Sequence, residues 1–432
     1  MSVQQSAPAP SDNVHPLRAA EAQRYWLGFW AVAFAFLIVM AFATLPSPLY
    51  GLYRTRDHLS AFMITVIYAI FAAGTIAALL SVRYIATHAG RRGAMLGAVA
   101  TMMAAAGLLA AWKSLPGLLV GRLITGVAVG LAAGTAITYL IELRVRKNPA
   151  AAIRARNIGT AVSVGGLGIG PLVAGCLAQW VRRPLTLPYL LFLALGAIAL
   201  IGVATAPETA TPAPPASAES KASGPPRSVR ILVPGATATL AAFAANGLFA
   251  GLSGLFLAVT LHHPSHALAG ATLFLVFSSG VASQLATNRL RASRVLVLGT
   301  ISMLTGLALL VTAVRISKPS LALFLIGGAL IGAGAGAVFK GTTGLVLEAT
   351  APENRLAMTA DLLIALYVGL SIPVIGAGVA LDRGASPPDT VLGFALLVGM
   401  GVAGAGAMLG RELRRGQRPA GASSVKTPHA PI

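Results

Sequence analysis

The sequence predicts an all-α integral membrane protein with twelve transmembrane helices in two pseudo-symmetric bundles of six. The chain has 432 residues, of which 56% are hydrophobic and only 10% are charged, and its mean hydropathy is +0.79. A soluble domain carries about 25% charged residues, so this chain lacks the polar groups needed to cover a globular surface in water. Two further observations give the architecture: the apolar residues fall into segments long enough to cross a bilayer, and the two halves of the chain resemble each other.

The apolar segments are counted between charged residues. A helix needs roughly 20 apolar residues to cross the hydrocarbon core at 1.5 Å per residue. The seventh and eighth segments share one uncharged region, which we divide at HHPSH because Pro264 and three histidines predict a turn. The predicted spans are 27–50, 60–82, 93–112, 117–141, 157–181, 185–206, 231–261, 267–288, 295–314, 320–347, 357–381 and 390–410.

Basic residues predict the orientation. Twelve spans place both termini on one side, and the loops and tails of that side carry 22 Lys and Arg against 8 on the other. Because basic loops stay in the cytoplasm, we expect both termini to be cytoplasmic and the protein to lie in the plasma membrane or cell inner membrane. The net charge of +20 is therefore a topology signal and requires no nucleic-acid partner.

A linker divides the chain into two halves. Residues 207–230 are rich in Pro, Ala and Ser, as in a disordered cytoplasmic linker. The predicted organisation is an N-terminal tail at 1–24, a six-helix bundle at 25–206, the linker at 207–230, a second bundle at 231–410 and a C-terminal tail at 411–432.

The fourth and tenth helices carry matching ridges of small residues. Taking every fourth residue, the series from Arg122 holds three glycines and the series from Gly328 holds four, and both end on glutamate, at Glu142 and Glu348. The offset between the series is constant at 206 residues. Small residues at this spacing let a neighbouring helix approach closely, and such internal repeats are typical of transporters whose substrate binds between the halves.

The fifth helix contains the stretch GGLGIGPLVAG at 165–175. Gly166, Gly170 and Ala174 form a ridge of small residues, and Pro171 has no N–H to offer the carbonyl of Leu167. In a bilayer such a carbonyl needs a partner from a neighbour or from water. We expect a bent, closely packed helix where the two halves meet; the alternative is a packing helix with no role in transport.

These residues resemble motifs of the major facilitator superfamily. The stretch is similar to the antiporter motif of this family, G-x-x-x-G-P-x-x-G-G, with one glycine replaced by Ala174. GRLITGVAVG at 121–130 resembles its R-x-x-x-G-x-x-x-G motif, and PET at 207–209 matches the usual end of the sixth helix. The resemblance implies the twelve-helix fold and, more narrowly, the drug:proton antiporter group. The residues that carry the antiporter motif are Gly166, Gly170, Pro171 and Gly175.

The connection between the second and third helices departs from the family pattern G-x-x-x-D-R-x-G-R-R. The sequence here is RYIATHAGRR at 83–92, in which Gly90, Arg91 and Arg92 match and the expected aspartate is Thr87. The acidic member of this cytoplasmic latch is therefore missing. We expect Glu142 and Glu348 to replace it, with their partners among Arg154, Arg156 and Arg355.

Three ionisable residues lie inside the predicted spans, where charges are costly and indicate function. They are Arg122, Lys340 and Asp361. The resemblance implies proton or substrate handling for Arg122; the alternative is an arginine bound to backbone carbonyls. Lys340 and Asp361 lie near the cytoplasmic side of adjacent helices, so we expect a gating ion pair coupled to protonation of Asp361; the alternatives are a static pair and a lysine that extends to the cytoplasm. Glu142 and Glu348 are the next candidates for carrying the proton.

The predicted cavity wall is aromatic, with few polar groups. It suits an amphipathic organic compound, neutral or cationic. The candidate residues are Phe34, Tyr68, Phe71, Asn246, Phe249, Phe277 and Tyr367.

The leading interpretation is a secondary transporter that exports small organic molecules, driven by protons through alternating access. The alternatives are proton-coupled uptake of a sugar or other nutrient, and a non-transporting membrane sensor. We expect no enzyme activity, cofactor or metal site: the sequence has no nucleotide-binding loop, and His262, His263 and His266 lie in an outer loop. The expected partners are a small-molecule substrate, protons and the lipid bilayer, and we expect a monomer.

Overall fold

The structure, a computed structural model, describes residues 14–145, 149–209 and 226–416, and twelve helical segments in them are long and apolar enough to cross a membrane. This confirms the predicted fold class. Most of the predicted linker and parts of both tails lie outside the described residues. The helices are α1 Val14–Thr44, α2 Tyr50–Asp57, α3 Ala61–Ala111, α4 Leu115–Val145, α5 Pro149–Trp180, α6 Leu187–Thr205, α7 Pro226–Leu255, α8 His266–Ala286, α9 Ala292–Arg315, α10 Leu321–Glu348, α11 Arg355–Asp382 and α12 Pro387–Gly416. Of the twelve segments, α3 contains two, and α2, with 8 residues, is too short to cross by itself.

Two predicted boundaries differ from the structure. The first span ends at Thr44, and the chain continues through a 3₁₀ turn, Ser47–Leu49, into the short α2; Pro46 and Pro48 explain the break because proline cannot continue the hydrogen bonding of a helix. The segment labelled α3 contains two membrane-spanning helices, Ala61–Ser81 and His88–Ala111, so the third span begins at 88 rather than 93. The helical conformation breaks at Gly90, whose φ of 70° and ψ of 179° are not helical. A residue other than glycine would be strained there. The predicted turn before α8 is confirmed.

The internal repeat is visible as matching helix contacts. A Cβ atom built on Gly126 of α4 would overlap the carbonyl oxygen of Phe71 in α3, and one built on Gly332 of α10 would overlap that of Val276 in α8. One turn further on, a Cβ on Gly130 would lie 2.5 Å from the carbonyl oxygen of Thr75, and one on Gly336 would overlap that of Gly280. The ridges at an offset of 206 residues therefore make equivalent close contacts in both halves.

The halves meet along two helix pairs, α5 with α8 and the first part of α3 with α11. Because twelve spans return the chain to the face from which it started, α1 begins and α12 ends at one end of the bundle, here called the terminal end. The opposite end, which carries the turns before α3, α8 and α12, is called the far end. The candidate site lies along the two helix pairs between these ends.

Candidate transport pathway

The glycine-rich stretch of α5 uses two faces. On one face, Cβ atoms built on Gly166 and Gly170 would lie 2.8 Å from the carbonyl oxygen of Leu37 and overlap that of Ala41, so α5 crosses α1 with its backbone in contact. On the other face, Gly175 lies against the carbonyl of His266, and the carbonyl of Pro171 lies against Gly270 of α8. The same eleven residues thus hold α5 to its own half and to the other half.

Arg122 is fully buried and bound to backbone carbonyls. Its guanidinium donates to the carbonyls of Ala43 at 2.5 Å, Tyr68 at 3.3 Å and Ile67 at 3.4 Å. Its Cζ lies 4.8 Å from the ring centroid of Phe71 and 5.9 Å from that of Tyr68. Among the described residues no carboxylate pairs with it. This is the carbonyl-bound alternative that the sequence left open, and it joins α1, α3 and α4.

An aromatic cluster crosses the boundary between the halves. The ring of Phe71 lies 6.2 Å from that of Tyr68 and 5.8 Å from that of Tyr367 in α11. All three are buried. Together with Arg122, this cluster forms a continuous path from the interior of the first half to the second half.

The other predicted cavity residues are distributed differently. Phe249, on α7, packs inside the second half, where its ring lies 5.2 Å from that of Phe324. Asn246 is buried with no partner for its Oδ1, and Ser371 is buried with no partner for its Oγ, among the residues that the structure describes. These two polar side chains flank the point where Gly247 of α7 meets the carbonyl of Leu370 of α11. The remaining two candidates are Phe277, buried on α8, and Phe34, partly buried on α1.

The predicted ion pair between Lys340 and Asp361 is not formed. The ammonium of Lys340 donates to the carbonyl of Gln284 at 2.5 Å, to Asn288 Oδ1 at 2.7 Å and to Thr287 Oγ1 at 3.3 Å. These acceptors close the end of α8, and the negative end of the helix dipole attracts a cation. Asp361 is exposed on α11 and has no ion-pair partner in the described part of the chain.

Glu208 of the PET segment is an acidic residue of the latch at the terminal end, and the sequence analysis did not assign it this role. Its carboxylate accepts from the backbone N–H groups of Arg91 and Arg92, each at 3.0 Å, and thereby caps the helix that restarts after Gly90. Glu142 contacts Arg91 at 3.4 Å and Thr209 at 2.6 Å, and among the described residues it forms no ion pair with Arg154 or Arg156, its expected partners. PET and the GRR motif are 117 residues apart in the sequence, so only the tertiary structure brings them together.

Glu348 does not join this latch. It is exposed at the end of α10, and the nearby Arg355 donates to the backbone carbonyl of Thr350 at 3.4 Å. The acidic latch therefore lies within the first half alone among the described residues.

Comparison with known proteins supplies the family. The sequence profile described as Major Facilitator Superfamily matches residues 32–360. A crystal structure of a mutant of the nucleoside transporter NupG is similar with a TM-score of 0.68 and 13% sequence identity, covering 89% of this chain and 99% of that one. At this identity the likeness shows the fold alone. No curated protein matches the sequence.

Proposed function

The chain belongs to the Major Facilitator Superfamily, and from this premise we propose that it is a proton-coupled antiporter that exports small organic molecules across the cell membrane. The observation that carries the proposal is the double use of GGLGIGPLVAG. Its glycines fasten α5 to α1 and, through Pro171 and Gly175, to α8 of the other half. A helix in this position takes part in any rocking motion between the halves.

The substrate of this proposal is neutral and amphipathic. The aromatic cluster of Tyr68, Phe71 and Tyr367 offers flat apolar surface at the boundary between the halves. Arg122 places a positive charge behind Phe71, with no carboxylate among the described residues to compensate it. Since like charges repel strongly where the dielectric constant is low, a cationic compound is disfavoured. Of the neutral and cationic compounds that the sequence allowed, we therefore propose the neutral ones.

Asp361 is the carrier of the proton in this proposal. It is the one carboxylate placed inside the predicted spans, and it is exposed, with no ion-pair partner among the described residues. A carboxylate in this situation can gain or lose a proton without first breaking an ion pair. Lys340, held by the end of α8, is assigned to gating rather than to pairing with Asp361.

Proteoliposomes with an imposed pH gradient test the proposal. An acidic lumen should drive accumulation of the neutral aromatic compound chloramphenicol, because protons leave as the substrate enters, and ethidium, a cation, should be carried less. D361N should abolish accumulation driven by the gradient while substrate exchange continues. If D361N retains full coupled accumulation, the assignment of the carrier is wrong.

Proton-coupled uptake is the second candidate, and the same vesicles separate it from export. With an alkaline lumen, a symporter accumulates its substrate as protons enter. Uridine is the appropriate probe because a similar structure is that of a nucleoside transporter. Accumulation of uridine under this gradient, with no effect of the opposite gradient, would replace our proposal by uptake. A folded protein that responds to neither gradient with either compound would favour the sensor.

A further inference from the structure

Two side chains cap helices of the opposite half at the far end. Asp382, the last residue of α11, accepts from the backbone N–H groups of Ala61 at 3.0 Å and Phe62 at 3.2 Å, the first residues of α3. Gln179, near the end of α5, accepts through Oε1 from the backbone N–H of His266 at 3.0 Å, the first residue of α8. Each contact supplies an acceptor to N–H groups that a helix leaves unpaired in its first turn.

The two contacts are equivalent under the internal repeat. The helices that supply the acceptors, α5 and α11, each carry an internal proline, and the helices that are capped, α3 and α8, have matching ridge contacts. Their N-caps also match. Ser60 accepts from the N–H of Met63 at 3.1 Å, and Ser265 accepts from the N–H of Leu268 at 3.2 Å. Each first turn therefore combines a local serine cap with an acceptor from the other half.

Close backbone packing surrounds both contacts. A Cβ atom built on Gly378 of α11 would overlap the hydroxyl of Thr65 in α3, and the backbones of α5 and α8 touch at Gly175 and Gly270. Separating the halves at this end therefore removes the acceptors from two helix N-termini at once.

The terminal end has no equivalent closure between described residues. The hydrogen bonds that join described residues of the two halves all lie at the far end. The structure thus represents a conformation closed at the far end.

We infer that Asp382 and Gln179 are two latches of the far gate, beside the contact of His266 Nδ1 with the Pro48 carbonyl at 3.2 Å, and that Asp382 and Gln179 are unequal in strength. The inference rests on the alternating access proposed above, but it concerns which residues hold one end closed rather than what is carried. Asp382 brings a full negative charge to a helix N-terminus with two acceptor oxygens, whereas Gln179 brings one neutral acceptor. Hydrogen bonds to an ionised acceptor are the stronger kind, and the helix dipole adds to the attraction. Asp382 is therefore the main latch.

Distance measurements between spin labels test the inference without any substrate. Cysteines replace the exposed Thr55 and Lys318 at the far end, one in each half, after C176S removes the single native cysteine. In D382A we expect the population with long far-end distances to rise about threefold to tenfold, consistent with losing one charge-assisted contact at an exposed site. Q179A should give a smaller rise, and D382N an intermediate one.

The matched control is D389A. Asp389 is also an acidic residue at the far end, but its partners Arg315 and Ser386 lie in its own half. D389A should leave the distances unchanged. A second label pair at Arg154 and Arg289, toward the terminal end, should shorten in D382A if the halves rock as rigid bodies.

The inference fails if D382A, eluting as a folded protein with normal thermal stability, has the same far-end distances as the parent. A change that D389A reproduces would also overturn it. Because these readouts are structural, they stand whether or not the vesicle assays support export, and failure of the transport proposal is recognised separately by flux.

Discussion

The hydroxyl of Thr44 donates a hydrogen bond of 2.7 Å to the backbone carbonyl of Leu167. This is the carbonyl that Pro171 leaves without a helical donor. Thr44 is the last residue of α1, 123 positions away in the sequence. The proline site in α5 is thus paired with the end of α1, and the fifth helix depends on the first to satisfy its backbone.

This relationship predicts a non-additive pair of substitutions. T44V keeps the shape of the side chain but leaves the Leu167 carbonyl unpaired, and should lower the free energy of unfolding by about 1 kcal/mol. P171A restores a backbone N–H four residues after Leu167. In the P171A background, T44V should therefore cost about half as much or less, as measured by thermal unfolding in detergent. Equal costs in both backgrounds would show that the Thr44 hydroxyl does not serve this carbonyl.

Gly170 should tolerate no side chain. Its Cβ would overlap the Ala41 carbonyl, so G170A must push α1 and α5 apart and should cost about 1–3 kcal/mol. G165A is the control, because a Cβ there meets nothing within 4 Å. Because alanine is the better helix former, G165A should be neutral or slightly stabilising. The melting temperatures of the two variants provide the comparison, and similar values would contradict the close crossing.

Arg122 should act first as a structural residue. R122M removes three buried hydrogen bonds, including the one to the Ala43 carbonyl in the last turn of α1, where carbonyls lack helical donors, and it should be the least stable variant and express poorly. R122K should recover only part of the stability, because a lysine ammonium is a point charge and cannot span carbonyls of two helices as the guanidinium does.

The functional interpretation of Arg122 is tested on the same R122K protein. Flux per folded molecule should keep its proton dependence in vesicles. R182K, an exposed arginine at the far end, is the control and should match the parent in both stability and flux. Loss of proton coupling in a stable R122K protein would return Arg122 to the coupling role that the family resemblance implies.

Replacing Gly90 by alanine should destabilise the protein more than replacing Gly384, the other described glycine with a positive φ. Both Gly90 and Gly384 have φ values that favour glycine, 70° and 89°. A Cβ on Gly90 would also lie 2.6 Å from Glu208 Oε2, whereas one on Gly384 meets nothing within 4 Å. G384A should therefore cost about 1 kcal/mol from backbone strain, and G90A clearly more. Trypsin cleavage at Arg91 and Arg92 should rise in G90A, since the cap by Glu208 on their N–H groups is displaced. Equal melting temperatures and equal proteolysis rates in the two variants would contradict this role of Glu208.

Some features of the site followed directly from sequence. Pro171 predicted an unpaired carbonyl at Leu167, the glycines of α5 predicted close crossings, and the offset of 206 residues between α4 and α10 predicted equivalent packing. Each of these follows from backbone geometry and residue size within one helix, which the local sequence specifies.

Other features did not follow. The sequence placed Lys340 and Asp361 near the same side of adjacent helices, yet Lys340 binds the end of α8. Depth is fixed by counting residues, but the direction of a side chain depends on how each helix is rotated about its axis. The partners of Glu208 and Asp382 lie more than 100 residues away in the chain, so no local pattern encodes them.

The sequence by itself determined that lipid surrounds twelve helices built as two related halves, because the polarity of a helix's residues depends on whether lipid or water surrounds it. The tertiary structure alone decided which helix ends meet across the halves, which carbonyls Arg122 binds, and which end is closed. These depend on helix rotations and crossings that bring distant residues within a hydrogen-bond length, and such distances are properties of the assembled bundle rather than of any one segment.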